Sequence, residues 1–76
     1  MIDLTFVDDS DLRWIVDFKT GLHEGGDSEA FMNSELARYR GQLERYAKIF
    51  RALETRLIAL GLYFPRLDGW REWRFT

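Results

Sequence analysis

Apolar and polar positions alternate in two short stretches near the beginning of the chain. In residues 2–7, every second side chain is apolar, namely Ile2, Leu4 and Phe6. Residues 12–19 form a second stretch rich in aromatic and β-branched side chains, and a period of two is typical of β-strands. Between them, residues 8–11 read Asp-Asp-Ser-Asp, which is the chemistry of a turn. The pattern therefore predicts an antiparallel hairpin.

The apolar period changes in the middle of the chain. Residues 20–33 are predicted to be irregular, with at most a helical turn at 28–32. After them, apolar side chains recur at steps of three and four, the stripe of an amphipathic helix, at Leu36, Tyr39, Leu43, Tyr46, Phe50 and Leu53. Asn33 or Ser34 is the expected N-cap. Gly41 lies inside this helix at a cost of about 1 kcal/mol relative to alanine, so packing is expected to hold the helix there.

Two strand-like stretches follow the helix. Residues 56–64 predict a strand, which Pro65 terminates. Asp68-Gly69 then predicts a turn, and residues 70–75 predict an edge strand. A strand, a helix and a further strand in one sheet are expected to place the two strands in parallel. The sequence predicts an α+β fold, in which the antiparallel hairpin and the following strand form a mixed β-sheet and the amphipathic helix packs against it. Part of the core is expected on one face of the hairpin, at Leu4, Phe6, Trp14, Val16 and Phe18.

Composition limits the class of protein. The 76 residues predict a single domain, 1–76, and the absence of cysteine excludes disulfides and thiolate zinc sites. It also fits a reducing compartment, so a cytoplasmic location is expected. No apolar run approaches the roughly 20 residues of a membrane span, and no membrane partner is expected. A net charge of −2 argues against bulk electrostatic attraction to nucleic acid but leaves room for a local site.

The acidic residues of the hairpin are the first candidate for chemistry. Asp17 and Lys19 share one face of an otherwise apolar strand. If paired residues have index numbers that sum to 20, residues 9–11 form a three-residue loop, a common hairpin length, and Asp3 lies opposite Asp17. Like charges at such positions repel. Lys19 or a divalent cation would relieve that repulsion, and Mg²⁺ is often held by two carboxylates with water and phosphate. The alternative is a pair of solvated acids on an open face.

These residues resemble the nuclease core of the PD-(D/E)XK superfamily. More narrowly, the chain resembles the RecB-like nuclease domain at the C-terminus of UvrD/Rep-type or AddA-type helicases, of which residues 1–76 would form the C-terminal part. That family has an acid on one strand, an acid-x-Lys on the next and Gln-x-x-x-Tyr on the following helix. Here the pattern falls on Asp3, on Asp17-Phe18-Lys19 and on residues 42–46, Gln-Leu-Glu-Arg-Tyr.

The resemblance implies a metal-dependent DNA exonuclease, part of an ATP-driven helicase-nuclease of DNA repair or recombination. It implies Asp3 and Asp17 as ligands of Mg²⁺ or Mn²⁺, and Lys19 as the base or charge stabiliser. Gln42 and Tyr46 would organise the site and bound DNA. The implied partners are DNA, the upstream helicase domain of the same polypeptide and a second helicase-nuclease subunit.

The chain departs from the family at two points. Leu4 stands where relatives often carry arginine, and the N-terminal helix that bears a further metal ligand has no counterpart. The isolated chain is therefore expected to be inactive. A non-catalytic module of the same fold, which only binds DNA or a partner protein, remains the alternative.

Two lesser candidates carry less weight. His23 lacks the second histidine of a zinc-protease motif and is expected to be a loop residue. Trp70, Trp73 and Phe75 would either complete a small core or stack on single-stranded DNA, and the first role is favoured because small domains need aromatic area.

Overall fold

The residues that the structure describes form one four-stranded sheet and one long helix. A computed structural model describes residues 2–21 and 26–75, and His23 lies outside them. The elements in chain order are β1 (Leu4–Val7), β2 (Arg13–Phe18), α1 (Ser28–Leu53), β3 (Ile58–Phe64), a 3₁₀ turn (Pro65–Leu67) and β4 (Gly69–Phe75). The strands lie in the order β1-β2-β3-β4, with β2 and β3 parallel and the outer pairs antiparallel. The predicted mixed sheet of an α+β fold is confirmed. Within the described residues, no helix is long and apolar enough to span a bilayer.

The register of the first hairpin is the predicted one. Leu4 pairs with Val16 and Val7 with Arg13, so paired index numbers sum to 20. The carboxylate of Asp8 organises the turn, because its Oδ1 accepts the backbone N–H groups of Ser10 and Leu12 at 2.9 and 3.1 Å. Its Oδ2 accepts the Trp14 indole N–H at 2.9 Å, which ties the turn to β2.

The helix begins earlier than predicted. Asp27 is the N-cap, and its side chain accepts the backbone N–H of Glu29 at 3.0 Å. Residues 28–32, predicted to form at most a helical turn, and Asn33, predicted to be irregular, are therefore the first part of one continuous helix. Met32 is buried in the core from this first part of the helix, and Phe31 packs against it, so tertiary packing adds to a good cap. Asn33, an expected cap, instead accepts a hydrogen bond from Arg71 of β4 at 3.0 Å.

The core lies on the opposite face of the hairpin from the one predicted. It is formed by large side chains at alternate positions of β3 together with Ile15 and the buried side of α1, as Ile15, Met32, Leu43, Ala47, Ile58, Leu60, Leu62 and Phe64. Of the predicted face, only Val16 is buried; Leu4, Phe6 and Phe18 are exposed. The reason lies in β3, whose other face carries the small residues Ala59 and Gly61 before Tyr63, so α1 packs on the face where every β3 side chain is large.

An ion pair fixes the end of α1 across the beginning of β2. The Arg13 guanidinium donates to both carboxylate oxygens of Glu54, at 2.8 and 3.1 Å, and lies 4.9 Å from the centre of the Phe50 ring. A bidentate arginine–carboxylate contact is among the more directional side-chain interactions. Leu53, predicted to belong to the apolar stripe, is exposed at the end of the helix, so the stripe ends at Phe50.

Gly41→Ala is expected to raise the free energy of unfolding by about 0.5–1 kcal/mol, because alanine restricts the unfolded chain and favours helix. Gly41 is exposed and an added Cβ would meet open space, so packing does not hold the helix at this residue as predicted. Chemical denaturation measures the change. Gly61→Ala is the contrasting variant: its Cβ would run into the Trp70 ring, and it should lose stability. A loss of stability in Gly41→Ala would contradict this account of α1.

Candidate functional site

The hairpin brings the two predicted acids together. Asp3 directly precedes β1, its backbone N–H donates to the carbonyl of Val16 at 3.2 Å, and its side chain interacts with that of Asp17 on β2. The two side chains interact with each other, and the interaction shifts the pKa of both. The backbone N–H of Phe18 also donates to Asp3 Oδ2 at 2.9 Å, which orients that carboxylate toward β2. The prediction that Asp3 and Asp17 share a face is confirmed.

Asp17 is buried rather than solvated. Only 6% of the residue is exposed, and its partner in the parallel register with β3 is Leu62, a core residue. The acid therefore lies on the face of the sheet that α1 covers, not on an open face. Burial of a carboxylate is costly unless a partner compensates it. Asp17 is also the one buried charged residue among those the structure describes.

Lys19 supplies that compensation. Its ammonium nitrogen lies 2.8 Å from Asp17 Oδ2 and 3.4 Å from the centre of the Tyr39 ring on α1. Its backbone N–H donates to the carbonyl of Tyr63 at 2.8 Å, which extends the pairing of β2 with β3 by one residue. The lysine thus joins the end of β2 to the helix, and the predicted grouping of Asp3, Asp17 and Lys19 is present.

The pKa values of the two acids move in opposite directions. Burial raises the pKa of Asp17 above its ordinary value, the contact with Asp3 raises it further, and Lys19 opposes both effects. The pKa of Asp3 is lowered, first by the hydrogen bond with Asp17 and then by the backbone N–H of Phe18. The two acids therefore share one neighbouring ammonium group, that of Lys19.

Gln42 and Tyr46 are not joined to this cluster by hydrogen bonds. Both side chains are half-buried on α1, and neither hydrogen-bonds to another side chain within the described residues. Tyr39 is the residue of α1 that reaches Lys19, and Tyr46 lies roughly 10 Å further along the helix axis. Tyr39 belongs to the predicted apolar stripe, and its contact with Lys19 was not predicted. The sequence signal that could have indicated this contact is the position of Tyr39 on α1, one turn before Gln42.

The donor set suits a hard divalent cation but is incomplete. Asp3 and Asp17 supply two carboxylates in contact, which is the number that commonly anchors Mg²⁺ beside waters and a substrate phosphate. No group of three or more histidine, cysteine, aspartate or glutamate side chains occurs in the parts of the chain that the structure describes. Any further ligands would come from water, phosphate or residues beyond this cluster.

The face of the sheet away from α1 carries an apolar surface that the sequence analysis placed in the core. Its centre is aromatic: the Trp14 and Trp70 rings lie 5.9 Å apart, and Phe18 meets Tyr63 edge-on at 5.8 Å. Trp73 and Phe75 point to the other side and pack against the core, as favoured above. Trp70 instead covers Gly61, which has no side chain to compete for that space.

Comparison with known proteins gives no match: no protein-family model, curated protein or solved structure is similar to the chain. Function is therefore inferred from the geometry of Asp3, Asp17 and Lys19 and from the residue pattern to which they belong.

Asp17→Asn is expected to gain stability relative to the wild type as the pH rises from about 3 to 7. An acid whose pKa is raised in the folded state contributes its full stability below its unfolded pKa and loses it as the pH rises through the folded value. The amide is nearly isosteric and escapes that loss. Denaturant titrations at several pH values measure the difference.

Asp9→Asn, in the exposed turn, is the matched control, and its stability relative to the wild type should rise less with pH than that of Asp17→Asn. If Asp17→Asn shows no rise, Asp17 is not a destabilised carboxylate.

Proposed function

We propose that this chain is part of a metal-dependent deoxyribonuclease, with Asp3 and Asp17 as ligands of Mg²⁺ or Mn²⁺. The supporting observation is the contact between the two acids beside Lys19. A solvated pair of acids would be free to separate. This pair is held together by the hairpin register and partly covered by the helix, so a repulsive contact is built into the fold.

Each residue has a distinct task in the proposed reaction. A bound divalent cation supplies a polarised phosphoryl oxygen and a water of lowered pKa. Asp3 and Asp17 hold that charge at the end of β2. The Lys19 ammonium lies beside the Asp17 carboxylate. In the proposed reaction it would orient the attacking water or stabilise the negative charge that develops on the phosphate. Gln42 and Tyr46 keep their proposed role toward DNA, which requires contacts formed only in the bound state.

The proposed enzyme needs more than these residues. Two carboxylates leave most of an octahedral Mg²⁺ shell to other ligands. The net charge of −2 provides no general attraction for a polyanion. Both requirements fit a larger helicase-nuclease that supplies further ligands and delivers DNA to the site. The 76 residues alone are expected to show little or no cleavage.

Asp17→Ala and Lys19→Ala are each expected to abolish exonuclease activity in the helicase-nuclease polypeptide that contains this sequence, with a loss of at least 100-fold. The first removes a metal ligand and the second removes the group that acts on the water, and misplacing either reacting group costs orders of magnitude. Metal-dependent release of nucleotides from linear DNA is the measurement, with melting curves recorded on the same samples.

Asp9→Ala serves as the matched control, because it removes an exposed aspartate of the same hairpin. It should leave cleavage unchanged. Folded Asp17→Ala and Lys19→Ala proteins that cleave like the parent would show that the cluster is not an active site.

A second candidate function is favoured by the aromatic surface on the other face of the sheet. Phe6, Phe18 and Trp70 are each about 40% exposed there and lie together on one surface, and a contiguous exposed apolar surface often marks an interaction site. A non-catalytic module that binds a partner protein would use this face and would not need the acids. If Asp17→Ala leaves both partner binding and the DNA cleavage of the whole polypeptide unchanged, the partner-binding module is favoured over the nuclease.

A further inference from the structure

The contact between Tyr39 and Lys19 suggests a role that the residue pattern alone does not assign. The Lys19 ammonium has two anchors: Asp17 Oδ2 at 2.8 Å and the Tyr39 ring at 3.4 Å from its centre. The lysine side chain is 18% exposed, so both contacts are partly shielded from water. Cation–π attraction is stronger in such surroundings than at a fully exposed site.

A divalent cation and the ammonium would compete for the same carboxylate. Both are positively charged, and Asp17 Oδ2 is already in contact with Lys19. When a metal takes that oxygen, the lysine loses one anchor and is repelled by the new charge. The ring of Tyr39 is then the contact that keeps the ammonium near the site instead of releasing it to solvent.

We propose that Tyr39 is a positioning residue: its ring holds the Lys19 ammonium at the site both when Asp17 binds that ammonium and when Asp17 binds a metal. The inference rests on the proposed function for the metal-bound state. Among the described residues, a second cation near this ring is Arg38, whose guanidinium lies 5.3 Å from the ring centre, further away than Lys19. Asp3 and Asp17 are the acids that face the ammonium from the hairpin.

The first measurement is the NMR signal of the Lys19 ε-protons in the 76-residue protein. A ring this close shields these protons, so their signal is expected upfield of that of exposed Lys48, the other lysine of the chain. Tyr39→Phe keeps the ring and should keep the shift. Tyr39→Leu should move the Lys19 signal to the Lys48 position. Tyr46→Leu removes a half-buried tyrosine from the same helix and should leave the shift in place.

The second measurement is Mn²⁺ binding, followed by paramagnetic broadening of the Asp3 and Asp17 signals. In Tyr39→Leu the lysine competes less well for Asp17, so Mn²⁺ affinity is expected to rise about twofold to tenfold. Tyr39→Phe should bind like the wild type. A purely structural role for the tyrosine predicts the opposite sign, because a loosened site binds metal less well.

The outcomes separate the inference from the proposed function. A Lys19 signal that coincides with that of Lys48 in the wild type, or that is unchanged in Tyr39→Leu, overturns the positioning role. So does weaker Mn²⁺ binding by a folded Tyr39→Leu variant. Absence of broadening at Asp3 and Asp17 in the wild type contradicts the proposed metal site instead, and the Lys19 signal then decides alone whether the ring holds the ammonium.

Discussion

The pairing register of β1 with β2 is the constraint on which the site depends. Because paired index numbers in β1 and β2 sum to 20, Asp3, directly before β1, is brought next to Asp17 although two like charges repel. The Asp8 carboxylate maintains this register from inside the turn, where it accepts hydrogen bonds from Ser10, Leu12 and Trp14. A shift of one residue would turn Asp17 to the opposite face and separate the two acids. An acid that stabilises the turn thus holds two other acids in a contact that electrostatics opposes.

Helix α1 also holds Asp17 in contact with Asp3, because it covers Asp17. It lies over the face of β2 that bears Ile15 and Asp17, and it reaches that strand at both ends, through Phe50 and Glu54 at Arg13 and through Tyr39 at Lys19. The burial that stabilises Ile15 therefore also raises the pKa of Asp17 two residues later. Lys19 lowers the cost without removing it. Such a partly compensated carboxylate pair is a reasonable place for a cation, which is the physical argument for the proposed nuclease.

Sequence reasoning succeeded where a local pattern decides the structure. The turn residues 8–11 and the alternation beside them were enough to predict the hairpin and its register. The choice of face was wrong because β2 is apolar on both sides, with Trp14 and Val16 on one and Ile15 on the other. The deciding signal was in β3, where the small residues Ala59 and Gly61 alternate with large ones, so the helix packs on the bulky side. The helix start was missed because Asp27, the true cap, stood in a segment rich in glycine.

The contact of Lys19 with Tyr39 could not be derived from spacing, since it depends on how α1 lies across the sheet. Tyrosine at that position fits an apolar stripe equally well, and its ring serves both purposes. The same uncertainty applied to the tail: Trp73 and Phe75 pack against the core, whereas Trp70, from the same strand, lies on the open face. The alternation of side chains along β4 places Trp70 on one face and Trp73 and Phe75 on the other. Which of these faces the helix covers is decided by tertiary packing and not by the local sequence.

The central claim is that Asp3 and Asp17 form a repulsive pair that a divalent cation relieves. The most direct test is a double-mutant cycle for stability at pH 7, with Asp3→Asn, Asp17→Asn and the double variant, in the absence and presence of Mg²⁺. The cycle cancels general effects of salt and of each single substitution. We predict an unfavourable coupling between the two carboxylates without Mg²⁺ that diminishes or becomes favourable when Mg²⁺ is added. A coupling of zero, or one that Mg²⁺ does not change, would contradict the account.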